Sequence, residues 1–140
     1  MIEKMIELGF REPEKPRRLI SICHWTHNDT KYDNIYAVGP KVDNINVAEG
    51  TYLYIEARFG GSFILDPNAT LVAPYLEKCN SIILRTGAKA WVPNLRKTEN
   101  GWFAGDDINR NGTVLVEQGA LIYAPYATFK YCYGDGYFIR

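Results

Sequence analysis

After residue 18 the chain consists of short Val, Ile, Leu and Tyr runs, broken at close intervals by Gly, Asn, Asp and Pro. That pattern predicts an all-β chain of short strands. The first ten residues follow a different period. Ile2, Met5 and Ile6 recur at helical spacing and Gly9 follows as a stop, so the spacing predicts one short amphipathic helix over residues 2–8. "REPEKPRR" then reads as a stiff polar linker.

The β region repeats itself. "SFILDPNATLVAPYL" from Ser62, "SIILRTGAKAWVPNL" from Ser81 and "TVLVEQGALIYAPYA" from Thr113 superimpose. The first two are offset by 19 residues and the last two by 32, which is one further period plus an insertion of about 13 residues. Fainter copies, "INVAEGTYLYIEA" from Ile45 and "KYDNIYAV" from Lys31, extend the series backwards in steps of 18.

Aligning these copies creates columns. Ile35, Leu53, Leu71, Ala90 and Ile122 form one, and Ala37, Ile55, Ala73, Val92 and Ala124 form its partner two residues on, the spacing of one strand face. A third column is Ile45, Phe63, Ile82 and Val114. All three are wholly apolar and are expected to point inward. Between strands stand Gly50, Asn68, Gly87 and Gly119, residue types that enter left-handed backbone conformations cheaply. Pro74, Pro93 and Pro125 follow the second strand of their repeats and end it without orphaning a ladder donor.

A period near 18 residues, with two short strands and a Gly or Asn corner in each, predicts a β-solenoid of stacked coils. A β-sandwich or roll whose hairpins look alike is the alternative. "NATLVAPYL", "GAKAWVPNL" and "GALIYAPYA" resemble the Gly/Asn-Ala-x-Leu-x-Ala-Pro-x-Leu units of bacterial and phage repeat proteins, which are similar to leucine-rich repeats without the helix. The resemblance spans roughly residues 31–127, implies a solenoid fold, and brings no catalytic motif with it.

With 140 residues the chain is expected to form a single domain, 1–140. Residues 1–30 supply an N-terminal helix and cap strand, 31–127 the repeat coils with an insertion near 99–112, and 128–140 a C-terminal hairpin cap turning at Gly134-Asp135-Gly136. Sixteen Lys and Arg balance sixteen Asp and Glu with no long run of one sign, so neither nucleic acid nor an anionic membrane is an expected partner. Cys23, Cys79 and Cys132 are odd in number and widely spread, which argues against a disulfide framework or a paired-cysteine zinc site. The N-terminus carries acids among its apolar residues, and no later apolar run is long enough to cross a bilayer. A soluble, cytoplasmic chain is expected.

Candidate chemistry falls in four places. The outward residues between the inward columns are Tyr36, Tyr54, Val72, Trp91 and Tyr123, an aromatic ladder suited to a protein or sugar face. On the other strand the outward column is Asn46, Ile64, Ile83 and Leu115, an apolar stripe where a solvated face prefers polar residues. From Asp107, "DINRNG" places Asp107, Asn109, Asn111 and Gly112 as in the first half of an EF-hand loop. The twelfth position, however, is Gln118, with Glu117 one place early, and the flanks are strand-like, so a polar hairpin at Asn111-Gly112 is the better reading.

The fourth place is "CHWTHND", which holds both histidines. His24 and His27 would share a face on a helix, but "LISIC" before them is strand-like, which sends them to opposite sides. Cys23 as nucleophile, His27 as base and Asp29 as orienter would be a triad of sequence neighbours, whereas triads normally draw on separate segments. A cap role is favoured. Gly60-Gly61 is expected at a coil corner.

The expected function is therefore non-enzymatic: a module binding a protein partner, or its own copy as a homo-oligomer, through Tyr36, Tyr54, Trp91, Tyr123, Ile64, Ile83 and Leu115, with no cofactor and no metal. An inhibitor or immunity-type role follows from analogy with short phage-encoded chains. The alternatives are a small hydrolase or metal-dependent enzyme using Cys23, His24, His27 and Asp29, with Asp106 or Asp107, and a carbohydrate-binding module.

Overall fold

The computed structural model describes residues 2–11, 18–21, 27–30, 35–38, 41–42, 45–98, 113–129 and 131–140. Among the described residues, helix α1 (Ile2–Glu7) precedes fifteen strands: β1 (Arg18–Ser21), β2 (His27–Thr30), β3 (Ile35–Val38), β4 (Lys41–Val42), β5 (Ile45–Val47), β6 (Tyr52–Glu56), β7 (Phe59–Leu65), β8 (Thr70–Val72), β9 (Lys78–Leu84), β10 (Lys89–Trp91), β11 (Lys97–Thr98), β12 (Thr113–Val116), β13 (Leu121–Tyr123), β14 (Tyr131–Tyr133) and β15 (Tyr137–Ile139). They form two parallel sheets. One runs β1-β3-β6-β8-β10-β13-β15; the other runs β14-β12-β9-β7-β5-β2, with β4 beside β7 and β11 beside β9. Apart from the consecutive pairs β4–β5 and β11–β12, which share a sheet, successive strands alternate between the sheets while neighbours within a sheet lie one coil apart, which is a β-solenoid.

The sequence columns are the ladder register. Ile35 pairs with Leu53, Leu53 with Leu71, Leu71 with Ala90 and Ala90 with Ile122. In the second sheet Ile45 pairs with Phe63, Phe63 with Ile82 and Ile82 with Val114. Because side chains alternate across a strand, holding this register puts every apolar column on the same face, and a slip of one residue would expose all of them. Leu53, Ile55, Phe63, Leu65, Leu71, Ile82, Leu84, Leu95, Val114 and Ile122 accordingly fill one continuous core between the sheets. Each fully buried Leu, Ile or Phe contributes about 1.5–3 kcal/mol relative to exposure. The predicted insertion lies between β11 and β12, which stack on the two halves of β9, so the register survives it.

Two kinds of corner close each coil. At the first, Thr51, Ala69, Ala88 and Ala120 donate their amides to Ala48, Asp66, Arg85 and Glu117 three residues back. The third residue of each turn has positive φ: Gly50 at 74°, Asn68 at 63°, Gly87 at 74° and Gly119 at 78°. This is the position of a type II turn that requires a left-handed residue. At the second corner Leu76, Leu95 and Ala127 donate to Ala73, Val92 and Ala124, which places Pro74, Pro93 and Pro125 where their fixed φ suits the turn.

Three expectations change. Gly60-Gly61 is not at a corner but inside β7; a Cβ on Gly60 would lie 2.4 Å from the Phe63 ring, so the glycine makes room for a core aromatic. The tail turns at Gly134–Gly136, but its strands do not pair with each other as a hairpin. β14 pairs parallel with β12 and β15 with β13, since each continues the sheet already facing it. The N-terminal helix does not close an end of the stack. It lies against the side of the first sheet, because that side carries the apolar surface able to receive it.

Candidate functional site

The outward face of the first sheet carries the predicted aromatic ladder, and the chain itself occupies it. Met5 and Phe10 bury a second apolar cluster with Tyr52, Val72, Trp91 and Tyr123, and Leu8, Tyr54, Leu121 and Ile139 pack around it. Trp91 is 2% exposed and Tyr123 5%. Their rings stack in parallel with centroids 4.3 Å apart, and Phe10 meets Trp91 at 5.5 Å in a tilted arrangement. Tyr54 is half-buried, and burial pushes its phenol up. Tyr36 stands in register with Tyr54.

The helix is shaped for this seat. Phe10 N donates to Met5 O and Gly9 N to Ile6 O, with Gly9 at φ 89°, which is a Schellman ending. Its hydrophobic contact pairs Phe10 with Met5, the two residues that cover Trp91. The Tyr52 hydroxyl accepts from Arg11 N at 3.2 Å and donates to Arg11 O, and the Arg11 guanidinium lies 4.2 Å from the Tyr52 ring centroid. Burial raises the Tyr52 phenol, with the bond to the Arg11 backbone opposing it. The predicted binding ladder is thus corrected at Trp91 and Tyr123: an amphipathic surface of this breadth holds its nearest apolar ligand, which is the chain's own helix.

The apolar stripe of the second sheet is graded. Ile83 is 3% exposed, while Ile64 and Leu115 are half-buried on either side of it, and Asn46 Oδ1 is buried without a hydrogen bond among the described residues.

Exposed aromatic side chains stand in two places: Tyr133, Tyr137 and Phe138 in the last coil, and Tyr75 and Tyr126 at the proline corner, where an arginine joins them. Glu77 N donates to Arg58 O, Arg96 N to Glu77 O and Thr128 N to Arg96 O, so residues 58, 77, 96 and 127 stack coil upon coil. Arg58 grips Glu77 in a two-pronged pair at 2.8 and 3.3 Å, and this hydrogen bonding holds the Glu77 carboxyl below the usual carboxylate range. The Arg96 guanidinium lies 5.5 Å from the centroid of Tyr126. Among the described residues no carboxylate pairs with it. Tyr75 and Tyr126 are 53% and 64% exposed. With Asn94, whose amide donates to Pro74 O at 2.6 Å, Arg58, Tyr75, Glu77 and Arg96 line an open groove of about 410 Å³. The 19-residue spacing of Arg58, Glu77 and Arg96 is the signal of this cluster in the sequence, and it lies outside the strand columns and the turn residues.

Of the "CHWTHND" segment, His27 and Asp29 lie in β2, with His27 in register with Ile45. Cys23 and His24 lie outside the described residues, as do Asp106, Asp107, Asn109 and Asn111. Glu117, the carboxylate nearest the end of the calcium-like motif, accepts from Arg85 Nη1 at 3.0 Å and from Thr86 N at 3.1 Å. Among the described residues no three His, Cys, Asp or Glu side chains converge, and no helix is long and apolar enough to cross a membrane.

Comparison with protein-family models, with curated proteins and with solved structures returned no match.

Proposed function

We propose that this chain is a non-enzymatic protein-binding module that meets its partner along the proline corner of the solenoid. The observation that carries this reading is the pairing of exposed tyrosines with arginine at the proline corner. Trp91 and Tyr123 are sealed beneath α1, whereas Tyr75 and Tyr126 stand in solvent beside Arg96. Tyrosine and arginine on a rigid scaffold are the residue types that dominate protein interfaces. An inhibitor or immunity-type role of bacterial or phage origin, acting by stoichiometric binding, belongs to the same reading and draws on the repeat-unit resemblance. Self-association is a further part of it, through the half-buried Ile64 and Leu115 of the stripe; Ile83, 3% exposed, is corrected as a binding residue because it is already covered. A cytoplasmic setting fits the thiols, since Cys79 is free and buried and Cys132 is free and exposed, a combination suited to a reducing compartment.

A photo-crosslinking phenylalanine analogue at position 75 or 126 tests the reading. In lysate of the source cells it should yield one adduct the size of a protein, and the same analogue at Ile6, 64% exposed on α1, should yield none. Adducts at position 6 with none at 75 or 126 would move the partner to another face.

A further inference from the structure

The proline corner also concentrates charge, although the chain as a whole is neutral. Among the described residues, Arg58, Lys78, Arg96 and Lys97 stand there against Glu56 and Glu77. Arg140 Nη1 donates to Ala127 O at 3.1 Å and so brings a fifth cation to the same side. The glycine corner has the opposite balance, with Glu49, Asp66 and Glu117 against Arg85. A field of this kind selects a partner of opposite sign and speeds its arrival.

From this charge segregation and the uncommitted Arg96 guanidinium, we infer that the partner presents an acidic, extended protein segment, whose carboxylates meet Arg96 and whose chain packs across Tyr75 and Tyr126. The inference rests on the binding-module reading. Arg96 is the reader: its guanidinium lies over Tyr126 with no carboxylate partner among the described residues, and a carboxylate matches its fork geometry in a two-pronged pair. Arg58 is already committed to Glu77 and serves to hold the groove's shape. Glu77 is what separates a peptide from a nucleic acid. Its ionised carboxylate sits between Arg58 and Arg96, so the surface alternates in sign along the coil axis, which suits spaced carboxylates and repels a strand carrying a phosphate about every 3.4 Å.

Fluorescence anisotropy with a fluorescein-labelled, alternating Glu-Ala decapeptide tests the inference, because alternation puts every Glu on one face of an extended chain. The protein should bind it, and Arg96→Glu should weaken binding by about ten-fold or more, as should raising salt several-fold from a low level. Arg96→Gln, which keeps the stacked polar head without charge, should fall between the two, and circular dichroism should show both variants folded. Lys4→Gln, on α1 and not among the residues that line the groove, should leave affinity unchanged. Equal affinity for wild type and Arg96→Glu overturns the inference, and so does tighter binding of an oligothymidylate of matched charge. Competition against the cross-linked adduct separates the two levels. If position 126 still captures a protein and the peptide neither binds nor competes, the acidic assignment fails and the module reading stands. If position 126 captures nothing, the reading itself fails.

Discussion

Trp91 and Tyr123 lie face to face, centroids 4.3 Å apart and ring planes 10° from parallel, although 32 residues of sequence separate them. They are neighbours because β10 and β13 pair in parallel with Trp91 opposite Tyr123. The stack serves as the floor on which α1 rests. Trp91→Ala should therefore destabilise the protein by about 3–5 kcal/mol, the range for removing a buried aromatic, measured by urea unfolding. A loss within the scatter of surface substitutions would show that α1 does not pack there.

Removing α1 tests the same contact from the other side. In a chain lacking residues 1–11, or carrying Met5→Asp with Phe10→Asp, the Trp91 indole becomes accessible. Its emission should shift to the red and acrylamide should quench it more efficiently, with Trp25 and Trp102 replaced by Phe so that one indole reports. The core between the sheets contains no residue of α1, so the far-ultraviolet β signal should persist.

Two glycines should fail for different reasons. Gly119 has φ 78° and no atom closer than 3.7 Å to a built Cβ, so Gly119→Ala meets only the backbone penalty, about 1–2 kcal/mol. Gly60 meets the Phe63 ring instead, so Gly60→Ala overpacks the core at a loss of roughly 1–3 kcal/mol. Phe63→Leu should recover part of the Gly60→Ala loss and none of the Gly119→Ala loss. Equal rescue of both in thermal melts would refute the distinction.

Cys79 gives the fold an alkaline limit. Its thiol is fully buried, and desolvation pushes its pKa well above the ordinary thiol range. With the folded pKa raised, the unfolded state loses this proton first as pH rises. The contribution is complete below the unfolded pKa near 8.5 and declines above it by up to about 1.4 kcal/mol per pH unit. Cys79→Ala should flatten stability between pH 8.5 and about 10.5 relative to wild type, compared in backgrounds with Cys23 and Cys132 replaced by Ser. Parallel curves for the two would assign the decline to other groups.

The salt link at the proline corner has the opposite sign. Arg58 lowers the Glu77 carboxyl, so whatever stability the pair supplies is present above the ordinary Glu range and is lost as pH falls through the lowered value. NMR titration should find the Glu77 midpoint returned upward in Arg58→Gln. An unchanged midpoint would mean that the two-pronged pair is not populated in solution.

How much was legible follows from what each signal measures. Period, register, inward columns, the left-handed corner residues and the proline turns were all readable, because each depends on residues a few positions apart or on one fixed repeat length. The fate of the outward columns was not. Whether Trp91 and Tyr123 bind a partner or a helix depends on where residues 2–10 come to rest, and the linker between them gives no direction. Arg58, Glu77 and Arg96 carried no local pattern either, for their charges are separated in sequence by whole coils.

By itself, then, the sequence determined the coil: which face is buried, where the chain turns, and which residues stack. Those are consequences of side-chain alternation and of backbone conformations that few residue types adopt. Only the tertiary structure decided which faces stay open. Docking α1 on the ladder took Trp91 and Tyr123 out of water, and stacking the coils drew scattered charges into a basic corner and an acidic one. The first depends on distances through space that neither composition nor periodicity contains; the second follows the coil period, but which of the stacked charges stay open is set by their neighbours in space.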